Sequence, residues 1–191
     1  MSPLGSSSWV ARPEMAAHHG PSDYLSAEFA REHFRQAMRG LVGAVNVVTT
    51  VHQGERFGLT ATAVCSVSAD PPRILACVNV TGRTFHALLD SRRMAINVLA
   101  HDQQVIAQAF AKFSGAQDDP FAVAGSWRVG HTGAPLLDGA LVSFDCVVAE
   151  FFVTPSHAIV IGEIRDMHVA DQRPPLMYFD GVFGTLGKLK A

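Results

Sequence analysis

The sequence carries little charge and little that could be crosslinked. Asp, Glu, Lys and Arg make up 17% of the 191 residues, the formal net charge is −2, and no run of Lys or Arg occurs. A near-neutral chain without a basic stripe lacks the electrostatic footprint of a nucleic-acid binder or of a protein held on an anionic membrane surface. Its cysteines, Cys65, Cys77 and Cys146, are odd in number and form no C-x-x-C pair. That argues against a disulfide framework and fits a reducing compartment. Long apolar runs are missing too: Ile74 to Val80 is strand-length and far short of a membrane span. Near the start, Trp9-Val10-Ala11 is cut off by Arg12-Pro13, a poor secretory signal. A soluble, cytoplasmic protein is expected.

The familiar catalytic signatures are absent as well. No G-x-G-x-x-G follows a strand, and Gly181, Gly184 and Gly187 have a different spacing. There is no Walker A loop, no H-E-x-x-H, no Cys/His set with zinc spacing and no G-x-S-x-G elbow. His52, His86, His101, His131 and His168 have no ligand spacing and read as solvated, so no metal site is expected. An enzyme with so few groups of its own would leave the hard chemistry to a bound cofactor.

What is present begins with a Ser-, Pro-, Gly- and His-rich segment over residues 1–22, expected to be a flexible tail, with one domain over residues 23–191. Phe29, Phe34, Met38 and Leu41 recur at helical spacing, and their stripe should cap a sheet or a subunit contact. Strand signals follow. Ala44 to Val51, Phe57 to Ser68 and Ile74 to Val80 are separated by turns at Gln53–Arg56 and Asp70–Pro72. A short helix opens at Thr81-Gly82-Arg83, and Met94 to Leu99 is strand. Asp102 is placed to N-cap a helix burying Val105, Ile106, Ala109, Phe110 and Phe113. Ser114 to Pro120 reads as a surface loop. Trp127–Val129 is a short strand before a turn at Gly133–Pro135, and Ala140–Val153, His157–Val169 and Leu176–Phe179 are further strands. Six or seven strands in hairpin order, without βαβ alternation, predict an antiparallel barrel, mainly β with inserted helices.

One strand is unusual. Gly58-Leu59-Thr60-Ala61-Thr62-Ala63-Val64-Cys65-Ser66-Val67-Ser68 has short side chains at most positions and no charge. Strands that only pack favour bulkier branched residues, so a flat ligand approaching the backbone is one reading and tight barrel packing is the other. Cys65 reads as a small buried residue and not a redox thiol, since no resolving partner is visible.

These residues resemble the short-chain flavin reductase family, the reductase components of two-component flavin monooxygenases. The similarity runs in order through Gly43–Thr50, Gly58–Ala63, Cys65–Ser68 with Asp70-Pro71-Pro72, Thr81–Phe85, Gly133–Leu137, His157–Ile164 and Pro175–Phe179. It implies a flavin-binding split β-barrel, a homodimer, and an NAD(P)H-dependent enzyme that reduces FMN or FAD with NADH or NADPH. The reduced flavin would pass to a partner monooxygenase. By this resemblance Thr60, Ala61, Thr62, Ala63, Cys65, Ser66, Val67 and Ser68 line the flavin ring and ribityl chain. Arg83 and Thr84 meet the phosphate, where a helix start beside a cation suits an anion in any case. His157 serves the nicotinamide nucleotide, and Tyr178 and Phe183 lie near both. The family often carries Thr-Ala-Asn-Ser at Thr60–Ala63, Gly-Asp-His at Pro155–His157, and Tyr at Phe183, so hydrogen bonding to the ligands should differ there. A relative acting on a corrinoid acceptor and a non-catalytic flavin-binding barrel are the other readings.

Overall fold

A computed structural model describes residues 27–111, 119–123, 125–171 and 173–187, with side chains from residue 33 onward. The predicted tail and Phe113 lie outside the described residues, as does most of the predicted loop at 114–120. The described residues fall into two units that divide between Met38 and Arg39. In the first, α1 (Ala27–Arg39) is an amphipathic helix on which Phe34 and Met38 are exposed.

In the second unit the chain runs β1 (Gly43–Ala44), β2 (Asn46–His52), β3 (Glu55–Ala61), β4 (Val64–Ala69), β5 (Pro72–Asn79), α2 (Arg83–Ser91) and β6 (Arg93–Val98). Next come α3 (Gln104–Ala111), α4 (Pro120–Val123), β7 (Trp127–Val129), β8 (Pro135–Leu137), β9 (Val142–Val153), β10 (His157–Val169), β11 (Met177–Phe179) and β12 (Val182–Gly184). Seven strands form one antiparallel sheet in the order β3-β2-β6-β9-β10-β5-β4. Its two edges, β3 and β4, are consecutive in the chain and linked only by Thr62-Ala63. So short a link spans about 10 Å, which forces the edges together at that end and curls the sheet into a split barrel.

The sequence predicts one strand over Phe57–Ser68, and here the structure differs. Val64 N–H donates to Thr62 O at 3.0 Å, a tight reversal that carries the chain from one sheet edge to the other. The turn expected over Gln53–Arg56 is tighter as well. Gln53 (φ 50°) and Gly54 (φ 81°) alone make it, the two-residue geometry that matches strand twist, and Glu55 and Arg56 become strand residues. The same solution recurs at Asp180 (φ 49°) and Gly181 (φ 86°) between β11 and β12. Pro135 opens a short strand and not only a turn, pairing with Val129.

β2 is buried on both faces. Val48 joins the core inside the sheet with Ile96, Met94, Val160 and Leu88 of α2. Val45 and Val47 join a second core with Leu99, Ile106, Phe110, Phe121 and Leu137. Each such side chain contributes about 1.5–3 kcal/mol of burial. α3 starts at Gln104, so Asp102 is not its N-cap. The Gln103 carbonyl accepts from Ile106 and Ala107 N–H, while Asp102 accepts from Arg173 at 3.4 Å. Val105 is consequently exposed, and Ile106, Ala107 and Phe110 form the buried face. No described helix is long and apolar enough to cross a membrane.

Candidate functional site

A cleft of about 1150 Å³ opens beside the split. Its floor is β3 with the Thr62-Ala63 link, and the start of α2, the end of β5, the start of β10 and the β11–β12 hairpin surround it. The floor is thin because its residues are small, and helix packing accounts for part of that. A Cβ on Gly58 would stand 2.7 Å from the Phe110 ring, so glycine lets α3 press against the strand from behind. Thr60 Oγ1 donates to Ala107 O at 2.6 Å, fastening β3 to α3. Helix packing, one of the two readings of the small-residue strand, is thus seen directly, and the same strand also lines the cleft together with Gln108, Phe110 and Ala111 of α3.

At one end lies α2. Its N-cap, Gly82, contributes no side-chain hydrogen bond, and of the first-turn N–H groups that of Phe85 donates to Gly82 O at 3.1 Å. Thr84 Oγ1 donates to Gly58 O at 3.1 Å, tying the helix start to the floor. The Arg83 guanidinium donates to Glu55 at 2.5 Å and lies 5.2 Å over the Phe57 ring. Arg56, next in the strand, pairs with Asp119 at 3.2 Å and lies 4.5 Å over Phe121.

The Thr154–His157 turn brings His157 to the cleft. Ser156 Oγ and His157 Nδ1 are 3.0 Å apart, and the His157 N–H donates to Thr154 Oγ1 at 3.2 Å. Nε2 has no hydrogen-bond partner among the described residues. Opposite His157 in the ladder is Asn79, whose Oδ1 accepts from Thr81 N–H and Oγ1, both at 2.8 Å. Tyr178 and Phe183 pack edge to face, 5.3 Å between centroids, as an aromatic wall. β1 passes close beneath Thr62, where a Cβ on Gly43 would come within 2.8 Å of the threonine Cβ.

Of the residues singled out from the sequence, Thr60, Ala61, Thr62, Ala63, Arg83, Thr84, His157, Tyr178 and Phe183 all line this cleft. Cys65, Ser66, Val67 and Ser68 do not. They lie along β4, the exposed far edge of the sheet, where Ser68 Oγ donates to Pro71 O in its own turn. Cys65 is exposed and not the buried residue expected, because an edge strand covers neither of its faces. Sequence reasoning missed Glu55, Arg56, Phe57, Asn79 and Phe110 as lining residues. The Gly58–Phe110 contact joins residues 52 apart and left no local signal, and Glu55 and Arg56 were hidden by the longer turn expected over Gln53–Arg56.

A family model described as "Flavin reductase like domain" matches residues 38–187. The chain is 39% identical over 146 residues to FMN reductase (NADH) RutF of Pseudomonas syringae pv. syringae, covering 76% of this chain and 81% of that protein. It is 35% identical over 155 residues to the 4-hydroxyphenylacetate 3-monooxygenase reductase component of Salmonella dublin, covering 81% and 91%. Among solved structures, BorF, the flavin reductase component of a bacterial two-component tryptophan halogenase, superimposes with a TM-score of 0.76 at 31% identity over 83% of this chain and 99% of BorF. With its barrel, its cleft and the full span of the match, this chain belongs to the flavin reductase family.

Proposed function

We propose that the protein is an NADH-dependent flavin reductase that reduces FMN and supplies it to a partner monooxygenase. One observation carries the reading: a single cleft joins a small-residue strand floor, an arginine at a helix start and a histidine at the start of β10. The choice of FMN and NADH is supported by relatives named FMN reductase (NADH), and the monooxygenase by relatives named as monooxygenase reductase components.

The residues fit a flavin. The low floor from Ala61 to Ala63 admits a flat ring system close to the backbone, because Ala61 and Ala63 carry little side chain. Thr62 and the backbone amides of the link are the hydrogen-bonding groups for the ring's polar edge. Thr60 and Thr84, whose hydroxyl hydrogens are held by carbonyls of α3 and β3, keep floor and helix start in register. Arg83 and the α2 N-terminus take the phosphate. His157, with Nδ1 engaged by Ser156, presents Nε2 to the nicotinamide nucleotide, and Tyr178 and Phe183 shield the reacting faces from water. The bound flavin supplies the hydride acceptor for the nicotinamide, so the protein needs no strong general base of its own. β4, with Cys65, Ser66, Val67 and Ser68, approaches the flavin only if a second copy or a ligand-induced shift completes the site. A homodimer is the form we propose, supported by exposed Val147, Phe152, Val153 and Met167 on β9 and β10. The cytoplasm is its proposed location, in keeping with three free cysteines.

The test is anaerobic stopped-flow reduction of added FMN and FAD by NADH and by NADPH. FMN with NADH should bleach fastest, and nicotinamide oxidation no faster than the protein-free control overturns the reading.

A further inference from the structure

The cation assigned to the flavin phosphate already has an anion. Arg83 Nη2 stands 2.5 Å from Glu55 Oε1, across 28 residues of sequence, and both side chains are about three-fifths exposed at the cleft rim. Glu55 is fixed from behind: it opens β3 directly after the two-residue Gln53-Gly54 turn and pairs with His52 in the ladder. The neighbouring charges are committed elsewhere. His52 faces Asp90 at 3.9 Å, and Arg56 faces Asp119 at 3.2 Å. The guanidinium of Arg83 is held over Phe57, the residue two positions beyond Glu55 on the same strand. The carboxylate therefore occupies the place on Arg83 that a ligand phosphate would take.

From this we infer that Glu55 is an internal competitor for the phosphate site, a residue that weakens binding of phosphorylated flavin and speeds its departure. The inference rests on the assignment of Arg83 to the phosphate. Binding becomes an exchange: the ligand's phosphate replaces the Glu55 carboxylate on Arg83, and the carboxylate, anchored on a strand, stays close enough to return. An exposed ion pair is worth little, so a dianion displaces it readily, yet its return lowers the cost of releasing the product. For an enzyme that must hand its reduced flavin on, that is a specificity device acting on the phosphate and not on the ring.

The experiment compares FMN with riboflavin, which shares the ring and lacks the phosphate, by equilibrium titration and by dissociation kinetics of the oxidised flavins from the full chain. Glu55→Gln should tighten FMN by about three- to ten-fold, the size expected for removing one exposed like charge, slow its dissociation, and leave riboflavin unchanged. Arg83→Met should reduce the preference for FMN over riboflavin, and in that background Glu55→Gln should have little further effect. If Arg83→Met lowers the preference but Glu55→Gln leaves FMN binding unchanged or weaker, the competitor role is overturned and the phosphate assignment stands. An equal gain from Glu55→Gln in both backgrounds overturns competition through Arg83. If Arg83→Met leaves the FMN-to-riboflavin ratio untouched, the phosphate assignment itself fails and the inference falls with it. Melting curves of all three variants confirm that each is folded.

Discussion

Asn97 has no solvent exposure, yet its side-chain amide joins four strands. Nδ2 donates to Val47 O at 3.2 Å and to Thr49 Oγ1 at 3.4 Å, while Oδ1 accepts from Leu137 N–H and Ser143 Oγ, both at 2.9 Å. Every polar atom of the group is satisfied, which is what makes a buried amide tolerable. Asn97→Ala strands a donor N–H, a hydroxyl and a carbonyl, and should lower stability by about 3 kcal/mol in urea denaturation. Cys146, also fully buried, tells a different story: burial first, and the neighbouring Asp145 second, push its thiol up to about 12. An acid whose pKa is raised by folding binds its proton more tightly in the native state. Stability should therefore fall as pH rises above the unfolded thiol value of 9.0, by up to about 1.4 kcal/mol per pH unit until the folded value is reached. Denaturation midpoints between pH 8 and 11 should show this decline in the wild type and a shallower one in Cys146→Ala. Cys65, exposed on β4, should label rapidly with a thiol reagent at pH 8 while Cys146 reacts only on unfolding.

At the scale of elements, the floor of the cleft is an agreement between β3 and α3. Gly58 leaves the space that the Phe110 ring fills, and Phe110 in turn meets Phe121 and Trp127 at centroid distances of 4.9 and 5.4 Å. Gly58→Ala should cost about 1–3 kcal/mol by overpacking and weaken flavin binding, because the strand or the helix must shift. Phe110→Leu combined with it should cost less than the sum of the two changes, a coupling that a double-mutant cycle measures. Elements of this kind were partly legible beforehand. The spacing of Ile106 and Phe110 marked a helix face, and Thr81-Gly82-Arg83 marked a helix start. The break between β3 and β4 was not: Thr62, Ala63 and Val64 carry no Gly or Pro and have the same small, hydroxyl-rich character as their neighbours. The cap of α3 was misplaced by one residue because Asp at 102 has the better intrinsic propensity, while tertiary contact drew its carboxylate to Arg173.

Across the second unit, curling one seven-stranded sheet brings the end of β3 to the start of β4 at the Thr62-Ala63 link, and the same closure sets His157 of β10, Arg83 of α2 and Tyr178 of β11 around one opening. β9 and β10 are left with Phe152, Val153 and Met167 half or more exposed, apolar surface that a second copy of the chain would cover. Sedimentation velocity at micromolar concentration should give about twice the chain mass of 20.5 kDa. A single monomeric boundary there would remove the dimer from the proposal. What the sequence determined by itself was local and periodic: the strand and helix types, a turn beginning at Gln53-Gly54, the helix start before Arg83, and enough ordered motif to point to the family. Which residues share the cleft was decided by the tertiary structure. Sheet edges, register and the passage from β3 to β4 depend on contacts between residues far apart in the chain, and no local propensity carries them. So Thr60 to Ala63 came to line the opening while Cys65 to Ser68, from the same run of small residues, went to the other edge.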